Sequence, residues 1–236
     1  MDRGLYLKIS KLAFAALFAA NCTFIIAQPP TGAQSVPKAD DDQRMFKVLP
    51  NYKTVNDPTA PISAITVKDK FKLAGHYFDP FTFAYLTVIA GTEQATEVKP
   101  GYGQGLKGYA KRYGADFTDG FTNELFVTGV FPALLHHDPR YIRKGEGNPW
   151  IRTGYALSRI LITRTDAGGR AFNISEFAGN IASGAVSTAY YPSDERNVSG
   201  IFARMSTQLG YDALFNVMKE FYPDISRKLS RKHRED

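Results

Sequence analysis

The chain has 236 residues and carries 29 lysine and arginine residues against 23 aspartate and glutamate residues, which gives a net charge of +6. This positive balance is too small for a dedicated nucleic-acid-binding protein, so we expect no nucleic-acid partner. Cys22 is the only cysteine, which excludes an intramolecular disulfide framework and a zinc site built on several thiolates.

The first residues have the three parts of a secretory signal peptide. Basic residues precede an uncharged, mainly apolar run over residues 12–27, and a polar, proline-bearing segment follows it. This run is short of the roughly 20 residues that cross a bilayer, so we expect cleavage near Ala27 rather than a permanent anchor. Lipidation at Cys22 is the alternative, although Asn21 stands where a small residue is usual. The sequence thus predicts an exported protein, in the periplasm or on the periplasmic face of an envelope membrane.

These patterns divide the chain into four segments. Residues 1–27 are the predicted signal peptide. Residues 28–68, rich in polar residues and proline without a sustained period, are predicted to be a flexible arm, in which a short extended piece is allowed at residues 44–49. Residues 69–225 form the predicted helical domain, and residues 226–236 form a basic tail that we expect to fray.

The helical domain shows five segments with helical periodicity. The clearest covers residues 173–190, where apolar residues recur at the i, i+3, i+4 and i+7 spacing, and where Asn173 and Glu176 make a capping pair. Because almost no strand alternation occurs, the sequence predicts an all-α fold, a single compact bundle of about five helices. The other four segments, with their interrupting or terminating prolines, are 71–96 (Pro80), 102–135 (Pro132), 150–163 and 194–221 (Pro223).

The segment 173–190 carries glycine, serine, threonine and asparagine opposite its apolar stripe, and residues 177–193 contain no charged side chain. A helix that faces water usually shows charges on its outer side, so we expect this helix to be covered on both sides. Small residues let a neighbouring helix approach closely. Two interpretations follow: a central helix of a soluble bundle with glycine- and serine-rich contacts, or a membrane-embedded helix pair.

Positive charge is concentrated in residues 99–112 and residues 138–170, where basic side chains lie close to tyrosines in the sequence. Such a surface suits anionic lipid head groups or another phosphate-bearing component of the envelope. A solvated basic face without a partner is the alternative. The candidate binding residues are Lys107, Tyr109, Lys111, Arg112, Arg140, Arg143, Arg152 and Arg159.

The densest group of reactive side chains is His136, His137 and Asp138, at a predicted helix end. Pro139 disfavours helix at Asp138, so imidazole and carboxylate groups could project from a turn and act as an acid–base pair. These three are the candidate catalytic residues if the protein is an enzyme. The alternative is structural, because histidine at a helix C-terminus complements the helix dipole.

Two common motifs for catalysis and metal binding are absent from the sequence. It has no Gly-x-Ser-x-Gly and no His-Glu-x-x-His. Glu93, Glu97, Glu124 and His137 are a conceivable ligand set, but no Glu-x-x-His pair supports it. We therefore predict no metal site and no cofactor.

Residues 69–225 resemble a group of exported, envelope-associated bacterial proteins of similar length. The resemblance implies an all-helical envelope protein and brings no established activity, so no catalytic role is taken from it. The stretches that carry it are His136–Tyr141, Arg152–Arg159, Thr163–Asp166, Phe172–Glu176 and Ala189–Pro192.

Three hypotheses for function follow. The first is a non-enzymatic envelope protein that is membrane-associated or binds a partner through its basic, tyrosine-bearing surface. The second is an envelope hydrolase that acts on a lipid or phosphate-bearing substrate through the histidine–aspartate group. The third is an embedded helical component of a membrane.

Overall fold

The computed structural model describes residues 44–57 and 62–235, with the side chains of residues 194 and 230–235 excepted. The predicted signal peptide and the first part of the predicted arm lie outside the described residues. Processing near Ala27 therefore stays a prediction.

Most described residues are helical, as the sequence predicts. The π-helical residues Leu125–Val130 join α3 to α4, so the described residues contain six continuous helices beside short 3₁₀ turns. Among them, none combines the length and the apolar character needed to cross a membrane. The helices are α1 Val67–Gly75, α2 Pro80–Ala95, α3 Gly105–Glu124, α4 Phe131–Leu135, α5 Pro149–Ser158, α6 Ile174–Ser187 and α7 Val198–Glu235.

The fold also contains small sheets, so the all-α prediction is wrong in this respect. Strands of two to four residues are too short to show the alternation by which strands are recognised. The sheets are an antiparallel β1–β2 pair, a parallel β3–β5 pair and an antiparallel sheet in the order β4–β6–β7. The strands are β1 Arg44–Met45, β2 Leu49–Pro50, β3 Thr54–Val55, β4 His137–Asp138, β5 Tyr141–Ile142, β6 Ile162–Thr165 and β7 Arg170–Phe172.

Residues 44–57, which the sequence places in a flexible arm, pack against the helices. Met45 is fully buried, and Arg44 forms an ion pair with Asp79. β3 pairs with β5, which follows it by more than 80 residues. This part of the chain therefore belongs to the folded domain, which a local pattern does not reveal because its partners are distant in sequence.

Three prolines have different effects on the helices. Pro80 begins α2 behind the N-cap Asp79, whose side chain accepts a hydrogen bond from the amide of Phe81, so the predicted helix 71–96 is two helices. Pro132 lies just after the π-helical turn, within a rod that continues to Leu135. Pro223 lies inside α7, which runs on to Glu235, so the predicted helix end at Pro223 is wrong.

The helix α6 lies against α3, the π-helical turn and α7 with its small polar side inward. Ser175, Glu176, Asn180, Ser183 and Ser187 are buried, as are its glycines. The apolar stripe points the other way, and Ile181 and Val186 are exposed. The expected close contacts of small residues are present, but the apolar stripe that predicted the helix is not its buried side.

Gly179→Ala should lower the free energy of unfolding by about 1–3 kcal/mol. An added β-carbon would lie 2.6 Å from Cγ2 of Val127 and 3.0 Å from its backbone, so α6 would have to move away. Gly91→Ala in α2 is the matched control, because in the described part of the chain no heavy atom beyond the adjacent residues and backbone of its own helix lies within 4 Å of the added β-carbon. Helix propensity should leave that variant equal or more stable by up to ~1 kcal/mol. Urea unfolding measures both, and equal losses would contradict the close packing of α6.

Candidate functional site

The structure does not bring His136, His137 and Asp138 together. His136 adopts the left-handed conformation at the end of α4 and is exposed, with Nδ1 3.8 Å from Asp166. His137 and Asp138 form β4 and, as successive strand residues, point to opposite faces. The carboxylate of Asp138 pairs with Arg140, Oδ2 lying 2.7 Å from Nη2. An acid–base pair of His137 and Asp138 is therefore not formed.

His137 has a different partner, which the sequence did not indicate. Its Nδ1 lies 2.8 Å from Oγ of Ser175 in the first turn of α6, and both residues are buried. Burial, together with the charges of Lys70 and His136, lowers the pKa of His137 to about 4. The imidazole is therefore neutral near pH 7. It forms a neutral hydrogen bond with the serine hydroxyl, in which either group can be the donor.

His137 and Ser175 line a small polar cavity of about 80 Å³, which we call the polar cleft. Its other ionisable lining residues include Lys53, Glu176, Asp212 and Lys219. Lys53 donates hydrogen bonds to both carboxylate oxygens of Glu124, at 3.0 and 2.9 Å. The cleft thus collects groups from β4, α6, α7 and the segment before β3, which no single sequence window contains.

Burial shifts the protonation of the cleft. It raises the pKa of Glu176 and of Asp212, and the charge of Asp212 raises that of Glu176 further, so protonation of the pair is favoured. Burial, together with the charge of Lys53, lowers the pKa of Lys219 to about 8. Burial opposes the charge of Lys53 as well, but the adjacent Glu124 carboxylate outweighs it and raises the pKa of Lys53. The cleft can therefore take up or release a proton near neutral pH.

Arg112, a candidate binding residue, is fully buried. Its guanidinium donates to the carbonyls of Val98, Lys99 and Gly103 at 2.7–3.1 Å and to Oε1 of Gln94. The residue therefore clamps the loop between α2 and α3 and is not available to a lipid. Its prediction as a surface group is wrong because α3 turns this side inward.

Arg143 and Arg152 are also buried, against α7. Arg152 Nε lies 2.8 Å from Oε1 of the fully buried Glu220, and both arginines reach Asp224, at 2.9 and 2.7 Å. Arginine hydrogen bonds outweigh the effect of burial and lower the pKa of Asp224 to about 2. Glu220 was missed by the sequence reasoning, although its position one turn before Asp224 could have suggested a partner for the arginines.

The remaining candidate binding residues differ in their exposure and in their partners. Arg140 pairs with Asp138, and Arg159 lines the polar cleft, where burial lowers the pKa of its guanidinium. Lys107 and Lys111 are exposed, one turn apart on α3. The half-exposed Tyr109 donates a long hydrogen bond of 3.3 Å to the carbonyl of Thr87. Of the eight candidate binding residues, only Lys107 and Lys111 are exposed.

Exposed apolar and basic side chains follow one another along α5, the turn after it and the β6–β7 pair, with the half-buried Arg164 among them. We call this set of residues the aromatic–basic surface. Trp150 is 84 % exposed and Phe172 is 57 % exposed. Its residues are Trp150, Ile151, Leu157, Leu161, Ile162, Arg164, Arg170 and Phe172.

The register of β6–β7 explains why basic and apolar groups share this surface. Ile162 lies opposite Phe172, and Arg164 lies opposite Arg170. Thr163 between them is buried, so the four flanking side chains lie on the outer face. The ring of Phe172 stacks on Phe177 of α6 with centroids 5.3 Å apart, which anchors the strand to the helix.

Within the described residues, no group of three or more histidine, cysteine, aspartate or glutamate side chains could hold a metal ion. Of the ligand set considered above, Glu93 pairs with Lys99, Glu124 with Lys53, and His137 with Ser175. Comparison with family models, with curated proteins and with solved structures finds no match for this chain. The geometry of the chain itself therefore carries the proposals that follow.

His137→Gln should remove part of the acid sensitivity of the fold. Between pH 6.5 and about 4 the unfolded chain binds a proton on His137 that the folded chain does not, so stability decreases as pH falls through this window. The variant should lose about 2 kcal/mol less than the parent between pH 7 and pH 4.5. Urea unfolding at the two pH values measures this, with the exposed His136→Gln as control. An unchanged pH slope in His137→Gln would contradict a buried, neutral imidazole.

Proposed function

We propose that the protein is an exported, non-enzymatic envelope protein that binds the surface of an anionic membrane through the aromatic–basic surface. The observation that carries the proposal is the combination of an almost fully exposed tryptophan with paired arginines on one continuous stretch of chain. Soluble surfaces rarely group large apolar side chains in this way. A bilayer interface solvates such a group better than water does.

The side-chain types match the layers of a lipid interface. Tryptophan is favoured at the level of the head groups, where its ring is partly apolar and its indole nitrogen can donate a hydrogen bond. Ile151 and Leu157 lie beside Trp150 on the outer side of α5, which gives the apolar face of an interfacial helix. Arg164 and Arg170 supply the complementary charge for anionic head groups.

The arrangement of charge in the rest of the domain supports the same proposal. Arg112, Arg143 and Arg152 are committed to internal partners, so they do not compete for lipid. Apolar residues that would normally fill the interior, such as Ile181, point outward instead. The domain therefore presents apolar surface where a soluble protein presents charge.

Trp150 is the only tryptophan in the chain, so its fluorescence reports directly on the surface. We expect a blue shift of the emission with vesicles that contain phosphatidylglycerol, and a much smaller shift with phosphatidylcholine alone. The double variant Arg164→Gln, Arg170→Gln should weaken vesicle binding about thirtyfold, because each arginine near an anionic surface contributes ~1 kcal/mol, or ~2 kcal/mol for the two. Raised salt should weaken the parent in the same direction.

Leu106→Ala is the matched control for this experiment. Leu106 is also 84 % exposed, but it lies at the start of α3 beside Lys107, outside the aromatic–basic surface. Its removal should leave vesicle binding and the blue shift unchanged. If this variant lost binding while the arginine variant kept it, the contact would lie on α3 and the proposal would fail.

The mass of the membrane-bound protein tests export, since cleavage near Ala27 predicts a mature chain starting at Gln28.

A second candidate function is hydrolysis in the polar cleft, favoured by the 2.8 Å contact of Ser175 with His137. This alternative differs from the sequence hypothesis, because the partner of His137 is a serine and not Asp138. It predicts turnover of p-nitrophenyl butyrate or p-nitrophenyl phosphate that Ser175→Ala abolishes. The membrane-binding proposal predicts no turnover of either compound, and the low pKa of His137 makes it a weak general base.

A further inference from the structure

A second cavity lies between α2, α3, α6 and α7, on residues that neither the polar cleft nor the aromatic–basic surface uses. Its volume is about 460 Å³, which is in the range of sites for small organic ligands. Tyr85, Leu86, Ile89 and Met205 give much of its wall an apolar character. We call it the interhelical cavity.

Arg204 projects from α7 into the wall of this cavity with part of its hydrogen-bonding capacity unused. The guanidinium lies over the ring of Tyr191, with Cζ 4.5 Å from the ring centroid, and Nη1 lies back against Gly200. Nε and Nη2 are buried and have no hydrogen-bond partner within the described residues. These two nitrogens form the edge of a guanidinium that matches the two oxygens of a carboxylate or phosphate group.

The nearby acids do not supply that partner. Asp119 interacts electrostatically with Arg204, but its two oxygens accept hydrogen bonds from the hydroxyls of Tyr190 and Tyr191. No hydrogen bond joins Asp119 to Arg204 in the described part of the chain. Burying two donor nitrogens without an acceptor costs free energy. We therefore expect a ligand in this cavity to supply the acceptor.

An acceptor is open in the same cavity. Oδ1 of Asp116 accepts from Nζ of Lys99 at 2.7 Å, and Lys99 also donates to both oxygens of Glu93. Oδ2 of Asp116 is buried and has no partner within residues 44–57 and 62–235. Since Lys99 is already shared between two carboxylates, the open oxygen is available to a donor from outside the chain.

We propose that the interhelical cavity binds a small zwitterion with an apolar body. Its carboxylate or phosphate group would occupy the Nε–Nη2 edge of Arg204, and its ammonium group would donate to Oδ2 of Asp116. Such a ligand satisfies both open groups and adds no net charge to the cavity. A simple anion would instead be repelled by the carboxylates of Glu93, Asp116 and Asp119. The apolar wall receives the body of the ligand. The two sources of this chemistry are an apolar amino acid and the phosphoethanolamine head of a lipid.

Isothermal titration of the full chain tests the proposal with two probes, L-phenylalanine and dihexanoyl-phosphatidylethanolamine. We expect saturable binding of at least one probe, and the probe that binds identifies the source. Phenylacetate, which lacks the ammonium group, and phenethylamine, which lacks the carboxylate, should bind at least tenfold more weakly than phenylalanine if the amino acid is the ligand. Dihexanoyl-phosphatidylglycerol is the corresponding comparison for the lipid probe.

Arg204→Lys keeps the charge but removes the two-nitrogen edge, and should weaken binding at least tenfold. Asp116→Asn keeps the acceptor toward Lys99 but removes the charge that receives the ammonium, with the same expected loss. It also provides the test if Arg204→Lys does not fold. Lys228→Gln, exposed on the same helix, should bind like the parent. No saturable binding of either probe, equal affinity for the comparison compounds, or unchanged affinity in both cavity variants would overturn the proposal.

Discussion

A charge buried in a protein is tolerated only when the protein itself replaces the water around it, and this requirement organises the domain. The fully buried Glu220 accepts hydrogen bonds from Arg152, from the hydroxyl of Tyr141 and from two backbone amides that precede α5. Arg112 meets the same requirement with backbone carbonyls of the loop after α2. Each cluster ties a helix to a neighbouring segment, so hydrogen-bonded buried charges contribute to the interior beside its apolar residues.

Because polar side chains occupy part of the interior, some apolar side chains of the domain lie on its surface. Helix α6 turns its serines, asparagine and glutamate inward, and its isoleucine and valine outward. The outer side of α5 and the β6–β7 pair likewise present Trp150 and Phe172 to the surroundings. An anionic bilayer interface would solvate the exposed apolar side chains and would place lipid phosphates near the arginines. Such an interface accounts for both features. This inversion supports the membrane-binding proposal, which the exposed tryptophan and the arginines carry.

The sequence located most of the helices but not their buried sides. The period at residues 173–190 correctly predicted a helix, because periodicity depends on local spacing, yet an apolar stripe identifies the buried side only when the interior is apolar. The cluster at His136, His137 and Asp138 was visible as a group, but the strand geometry of β4 separates its side chains. The short strands could not be predicted, since β3 acquires its conformation by pairing with β5 far along the chain.

The amino-acid sequence by itself determined that the chain is mostly helical, with small residues that permit close helix contacts, because both properties depend on neighbouring residues. It also carries the prediction of an export signal, which rests on the order of basic, apolar and polar residues at the start. Only the tertiary structure decided that Arg112, Arg143 and Arg152 are internal and that Trp150 and Arg170 are on the surface. The physical reason is that an arginine has the same local appearance whether it meets water, lipid or a buried carboxylate. Its role depends on which distant residue folds against it.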